Sequence, residues 1–133
     1  MSIRHLNPAG VHAQPQLITQ VVAVDERTLV HLSGQVAWDE HGDPVAPGDH
    51  VAQAAQVRRN VEACLASIGA TDADIVKETI YVVDHRPERL PAILGALRGS
   101  GDATPPASTY LGVAALFAPE FVIEVDLVVA VAR

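Results

Sequence analysis

Apolar and polar residues recur along this chain with two different periods. From Leu17 to Val24 and from Thr28 to Val36 the residues are β-rich, and Asp25-Glu26-Arg27 separates the two runs. Three polar residues make a hairpin-length link, so the pattern predicts an antiparallel pair. In the second run Leu29, His31 and Ser33 fall on one face and Val30 and Leu32 on the other. That strand runs into Gly34-Gln35, where the missing side chain permits close approach. A loop rich in Gly, Pro and Asp follows from Asp39 to Gly48. The period then changes. Ala54, Val57, Val61, Cys64, Leu65 and Ile68 recur every three or four residues, which predicts an amphipathic helix with Asp49 as its N-cap and Gly69 as its closing residue. Gln53, Gln56, Arg59 and Glu62 lie mostly off its apolar face.

Alternation returns from Ile75 to Val83, with Ile80 and Val82 opposite Thr79, Tyr81 and Val83. A second helix is predicted after Asp84 or His85 as cap, with Pro87 in its first turn and Leu90, Ile93, Leu94 and Leu97 as its buried stripe. Gly99-Ser100-Gly101-Asp102 breaks it. Strand-like runs follow at Ser108 to Leu116 and Phe121 to Ala132. In the last run Phe121, Ile123, Val125, Leu127 and Val129 share one face, while Glu124 and Asp126 share the other with Val122, Val128 and Ala130. The predicted order is β-β-α-β-α-β-β, an α+β domain spanning residues 1–133 with two helices on one face of a mixed sheet. The other sheet face then lacks a cover, and a second copy of the chain is the cover expected.

Composition narrows the function. Aromatic residues make up 4% of the chain against 49% hydrophobic residues in all, so the core must be built from Val, Ala, Leu and Ile. The net charge of −7 disfavours nucleic-acid phosphates as partners. No apolar run approaches the ~20 residues of a spanning helix, and the start of the chain lacks the apolar stretch of a signal peptide. With Cys64 the single cysteine, no internal disulfide is possible. A cytoplasmic protein with no membrane contact is expected.

Six histidines, at positions 5, 12, 31, 41, 50 and 85, form no HxxxH or HExxH pair, so neither a metal site nor a cofactor is expected. His31 reads as half-buried and hydrogen-bonded, and Cys64 as a small buried hydrophobe. Glu124 stands out in an apolar strand. It is either one carboxylate of a solvated face, with Asp126 beside it, or a desolvated carboxylate in a subunit cleft that positions or activates a water. Ser33-Gly34-Gln35 could offer a hydroxyl and backbone N–H groups to a ligand, but no GxSxG elbow makes Ser33 a nucleophile, and no GxGxxG or Walker pattern supports a nucleotide site.

Asn7-Pro8-Ala9-Gly10, Ser33-Gly34-Gln35-Val36, Asp39, Gly42, Gln53, Asn60, Ile68-Gly69-Ala70, Asp74-Ile75-Val76-Lys77, Thr79 to Asp84, Pro106, Ser108-Thr109 and Ile123-Glu124-Val125 occur in an order that resembles the RidA/YjgF family of imine and enamine deaminases. The resemblance implies a chorismate-mutase-like fold, a homotrimer and small-molecule clefts between subunits. It further implies Glu124 as the catalytic, water-positioning carboxylate, with Ser33, Gln35, Ser108 and Thr109 as substrate-binding residues. Active members carry an arginine just before the Ser-Thr pair, where this chain has Ala107; Ile18 stands at a tyrosine position, and no asparagine matches near Ala92. The implied substrate is therefore an imine, enamine or related amino compound other than 2-aminoacrylate. A non-catalytic trimeric metabolite binder is the alternative, and the family's older association with ribonucleases fits poorly with the acidic charge.

Overall fold

The computed structural model describes residues 3–99 and 101–133; Ser100, part of the expected helix break, lies outside them. The elements run β1 (Ile3–Leu6), β2 (Val21–Val24), β3 (Arg27–Val36), α1 (His50–Ser67), β4 (Ile75–Val83), α2 (Leu90–Arg98), β5 (Ala107–Val113) and β6 (Ile123–Ala132). β3, β6, β4 and β5 form a four-stranded mixed sheet in that order, with only the β4–β5 pair parallel. β1 and β2 form a separate antiparallel pair.

The expected β2–β3 hairpin is not made. β2 shrinks to four residues and pairs with β1, an N-terminal strand that the β-β-α-β-α-β-β order did not contain. β3 pairs instead with β6, from Arg27 opposite Ala132 to Val36 opposite Glu124. The partner choice follows from length and phase. β3 and β6 both have ten residues, and Val30 and Leu32 meet Val129 and Leu127 on the same buried side. Residues 17–20, read as strand, are drawn away by other partners: Arg98 Nη1 donates to the Leu17 carbonyl, and Thr19 N–H donates to the Pro106 carbonyl at 3.0 Å.

α1 begins and ends as its local chemistry dictates. Asp49 Oδ1 accepts from Ala52 N–H at 3.0 Å. At the other end Gly69, with φ of +66°, lets its own N–H reach the Ala66 carbonyl and the Ala70 N–H reach the Leu65 carbonyl, a Schellman closure. Ala54, Val57, Val61 and Leu65 are buried as expected, whereas Cys64 is only half-buried at the edge of that face. Gln53, read as lying off the face, is fully buried. Its amide donates to the carbonyls of Val45 and Glu120 and accepts from Val122 N–H at 2.8 Å, satisfying loop groups that would otherwise be buried unpaired. Asn60 Nδ2 donates to the carbonyls of Val36 and Trp38, both at 3.0 Å, so α1 clamps the end of β3.

Asp84 does not cap the second helix. It adopts φ of +52° and takes Arg89 as a partner, while a short 3-10 turn, Pro87–Arg89, leads into α2. Both helices pack on one sheet face. The core there is Val57, Val61 and Leu65 from α1, Ile93 from α2, and Ile80, Val82, Ile123, Val125, Leu127 and Val129 from the central strands. β5 begins at Ala107, one residue before the run read from sequence, but ends at Val113, and β6 begins at Ile123, two residues later than read.

Candidate functional site

The face of the sheet away from the helices carries Glu124 and Asp126 on β6, Lys77, Thr79 and Tyr81 on β4, Thr109 on β5, and Leu29 and His31 on β3. Strand alternation puts them there, because Val125, Leu127, Ile80 and Val82 occupy the intervening core positions. His31 is exposed on this face rather than half-buried, and Leu29 is 52% exposed.

Glu124 is seated by a missing side chain. Between Leu32 and Gln35 the β3–β6 register shifts, so Ser33 and Gly34 together stand opposite Asp126. A Cβ on Gly34 would lie 2.1 Å from Glu124 Oε2 and 2.8 Å from its carboxyl carbon. The carboxylate therefore lies flat against the Gly34 backbone, a position open only beside glycine. It is half-buried and accepts no hydrogen bond among the described residues. Burial first, and the neighbouring Asp126 charge second, push its pKa above the ordinary carboxylate value.

Asp126 is treated differently. The Tyr81 hydroxyl donates to Asp126 Oδ2 at 2.9 Å, and this bond is the main reason the phenol is held above its ordinary pKa. Tyr81 is also the register partner of Glu124, so the two acidic groups and the phenol form one cluster. On β5, Thr109 Oγ1 accepts from Lys77 Nζ at 3.0 Å, and Lys77 is in register with Ala107. A cation thus stands next to Ala107 on the neighbouring strand.

The residues expected to share a site are only partly brought together. Ser33 lies at the bulge beside Gly34, exposed and close to Glu124's seat. Gln35 turns its amide onto its own strand, Nε2 donating to the Ser33 carbonyl at 3.0 Å. Thr109 lies on the same face as Glu124, two strands across from β6. Ser108 lies on the opposite, helix-covered face, where Oγ donates to Glu78 Oε2 at 3.2 Å. The sequence reading missed the seat formed by Gly34, the Tyr81–Asp126 bond and the Lys77–Thr109 bond. Gly34 inside a strand was the visible signal for the first of these.

Such a carboxylate has unused acceptor positions and a raised proton affinity, so it can hold a water and exchange a proton with it. Among the described residues no group of three or more His, Cys, Asp and Glu could hold a metal ion, and no helix is long and apolar enough to cross a membrane.

Known proteins share the fold. Residues 13–131 match the family described as endoribonuclease L-PSP. A RutC family protein of Haemophilus influenzae is 47% identical over 64 residues, 48% of each chain. Protein DfrA of Myxococcus xanthus is 38% identical over 66 residues, 50% of each chain. The chain thus spans about half the length of the curated relatives it matches. The Rid family protein YyfB of Yersinia pestis superposes with a TM-score of 0.88 at 34% identity, covering 98% of this chain and all of that one. The YjgF product of E. coli superposes with a TM-score of 0.66 at 26% identity, covering 92% and 90% of the two chains.

Proposed function

The chain belongs to the RidA/YjgF family, and from that premise we propose that it is a hydrolytic deaminase acting on an imine, enamine or related amino compound. The observation that carries this reading is Glu124, a half-buried carboxylate with no hydrogen-bond donor among the described residues, laid against Gly34 on an uncovered sheet face. In this reading the chain is a homotrimer, and a neighbouring copy covers the open face and turns it into an intersubunit cleft. Glu124 holds the attacking water and takes its proton as the C–O bond forms at the imine carbon, then returns it to the nitrogen of the resulting carbinolamine; the hydroxyl proton is lost as the C–N bond breaks, leaving a carbonyl and ammonia. Ser33 and Thr109 supply hydroxyl and backbone groups to the substrate, and Gln35 holds the bulged strand that carries Ser33. Ser108 acts at a distance, through its bond to Glu78.

Ala107 favours a substrate other than a small 2-imino acid, because no guanidinium fork projects from that position. The same residue supports a second reading, a non-catalytic trimer that binds a metabolite in the same cleft. RNA cleavage fits worse, since an RNA phosphate on this face would meet Glu124 and Asp126.

The test is the decay of imines generated in situ from a panel of neutral, bulky and acidic amino acids, followed by semicarbazide trapping and ammonia release. Accelerated decay that disappears in Glu124→Ala supports the deaminase. Acceleration absent across the panel, with saturable binding of a panel compound, supports the metabolite binder.

A further inference from the structure

On the side of β6 opposite Glu124, a cavity of about 450 Å³ opens between α2 and the sheet. Protein interiors leave few voids larger than a water, and this volume is in the range of small-molecule pockets. Its floor is Val125 and Leu127 of β6, and its walls include Val61 of α1 with Leu94 and Leu97 of α2. Gly95, inside the nine-residue helix α2, borders the cavity and has no atom within 4 Å of where a Cβ would lie. A glycine inside a helix is less favourable than alanine. Gly95 is exposed at the edge of the opening, where a larger side chain would meet no neighbouring atom.

The charges around the cavity select its ligand. Arg58 holds Asp72 through two bonds of 2.8 Å, and Arg98 holds Glu78 through bonds of 3.2 and 2.6 Å. The Arg98–Glu78 pair is closed and neutral, and Arg58 is shared further with the more exposed Glu62, 3.5 Å from its Nε, so neither guanidinium is left without a carboxylate. An anionic ligand could recruit an arginine only by stranding its carboxylate, and a cationic ligand would strand the arginine in the same way. At the mouth, Gln16 and Thr104 make no side-chain hydrogen bond among the described residues. The rim is tied in place by the bond from Arg98 to the Leu17 carbonyl and by Thr19 N–H on Pro106.

We propose that this chamber is a second binding site, distinct from the open face, for an uncharged and mainly apolar small molecule with one neutral hydrogen-bonding group. The proposal does not depend on the deaminase reading.

The test is fluorescence titration of the full chain with N-phenyl-1-naphthylamine, a neutral two-ring probe with one N–H. Saturable enhancement is expected. The sulfonated analogue of the same skeleton should bind at least about tenfold more weakly, about 1.4 kcal/mol. Gly95→Leu, which adds bulk at a lining position, should weaken the neutral probe at least tenfold, as should Ala103→Trp on the exposed connection at the mouth, which alters no helix packing. Glu124→Gln, on the other face, should leave probe binding unchanged. Absence of saturable binding overturns the proposal. So does equal affinity for the sulfonated probe, undiminished binding in a folded Ala103→Trp, or loss of binding in Glu124→Gln.

Discussion

Two glutamates on adjacent strands have opposite fates in this molecule. Glu78, on β4, points under the helices and is only 6% exposed; Arg98 grips both of its oxygens and Ser108 adds a third donor. Glu124, on β6, points to the uncovered face and receives no donor among the described residues, only the bare backbone of Gly34. Both are carboxylates in the same sheet, so side-chain type does not separate them. Partners do. A carboxylate whose acceptor positions are filled joins elements of the fold, as Glu78 joins β4, α2 and β5. One whose positions are empty has them free to accept from a water or a ligand.

Exchanging each carboxylate for its amide tests that contrast most severely. Glu124→Gln removes the proton acceptor while keeping the shape, and turnover of the responsive imine should fall by about 10²- to 10⁴-fold with KM little changed. Glu78→Gln should do the reverse. It leaves a half-buried guanidinium without its counter-charge, which at this partly exposed pair should lower the unfolding free energy by about 2–3 kcal/mol, read by denaturant titration. Turnover per folded molecule should be retained. Full turnover in Glu124→Gln would collapse the distinction between the two residues.

A smaller change sharpens the comparison by moving the carboxylate rather than removing it. Gly34→Ala places a methyl where Glu124 Oε2 now lies, and the flexible end of the side chain must swing away. Turnover should drop by about tenfold, equivalent to about 1.4 kcal/mol at the transition state. Stability should hardly change, because Gly34 is exposed and its φ lies outside the left-handed region. Combined with Glu124→Gln, Gly34→Ala should cause no further loss, and a double-mutant cycle reads that coupling directly.

What was legible beforehand follows the range of the interactions. Asp49, Gly69 and the limits of β4 were readable because caps and alternation are decided by neighbours in the chain. The pairing of β3 was not, since its partner begins almost ninety residues after β3 ends and a short link to β2 looked like a hairpin. Gln53 looked solvated because only the folded loops bring Val45, Glu120 and Val122 to its amide. Glu78 did carry a signal, standing in phase with Ile80 and Val82 on the buried side, but Arg98 could not be named from spacing. For the site, Glu124 and Gly34 could each be singled out; that one is the seat of the other depends on a bulge that no periodicity predicts. Ser108 and Thr109 show the same limit in reverse, since adjacent strand residues necessarily face opposite sides and only the fold decides which side is the site.

The gentlest test sets the two glutamates against pH. Burial and Asp126 raise the pKa of Glu124 in the folded protein above its unfolded value, so the folded state holds the Glu124 proton more tightly. Below the ordinary carboxylate pKa the side chain is protonated in both states, and it contributes its full share to stability. As pH rises through the raised folded value that contribution is lost, because the folded state must then carry a desolvated charge that the unfolded chain carries freely in water. A neutral amide has no such dependence. Glu124→Gln should therefore melt higher than the parent protein at pH 7 and 8, and the difference should shrink toward zero as pH falls to about 4. Differential scanning calorimetry across that range checks the sign. If the variant melts lower at pH 7, Glu124 is held by a donor that stabilises its charge, and it belongs with Glu78 as a strut of the fold.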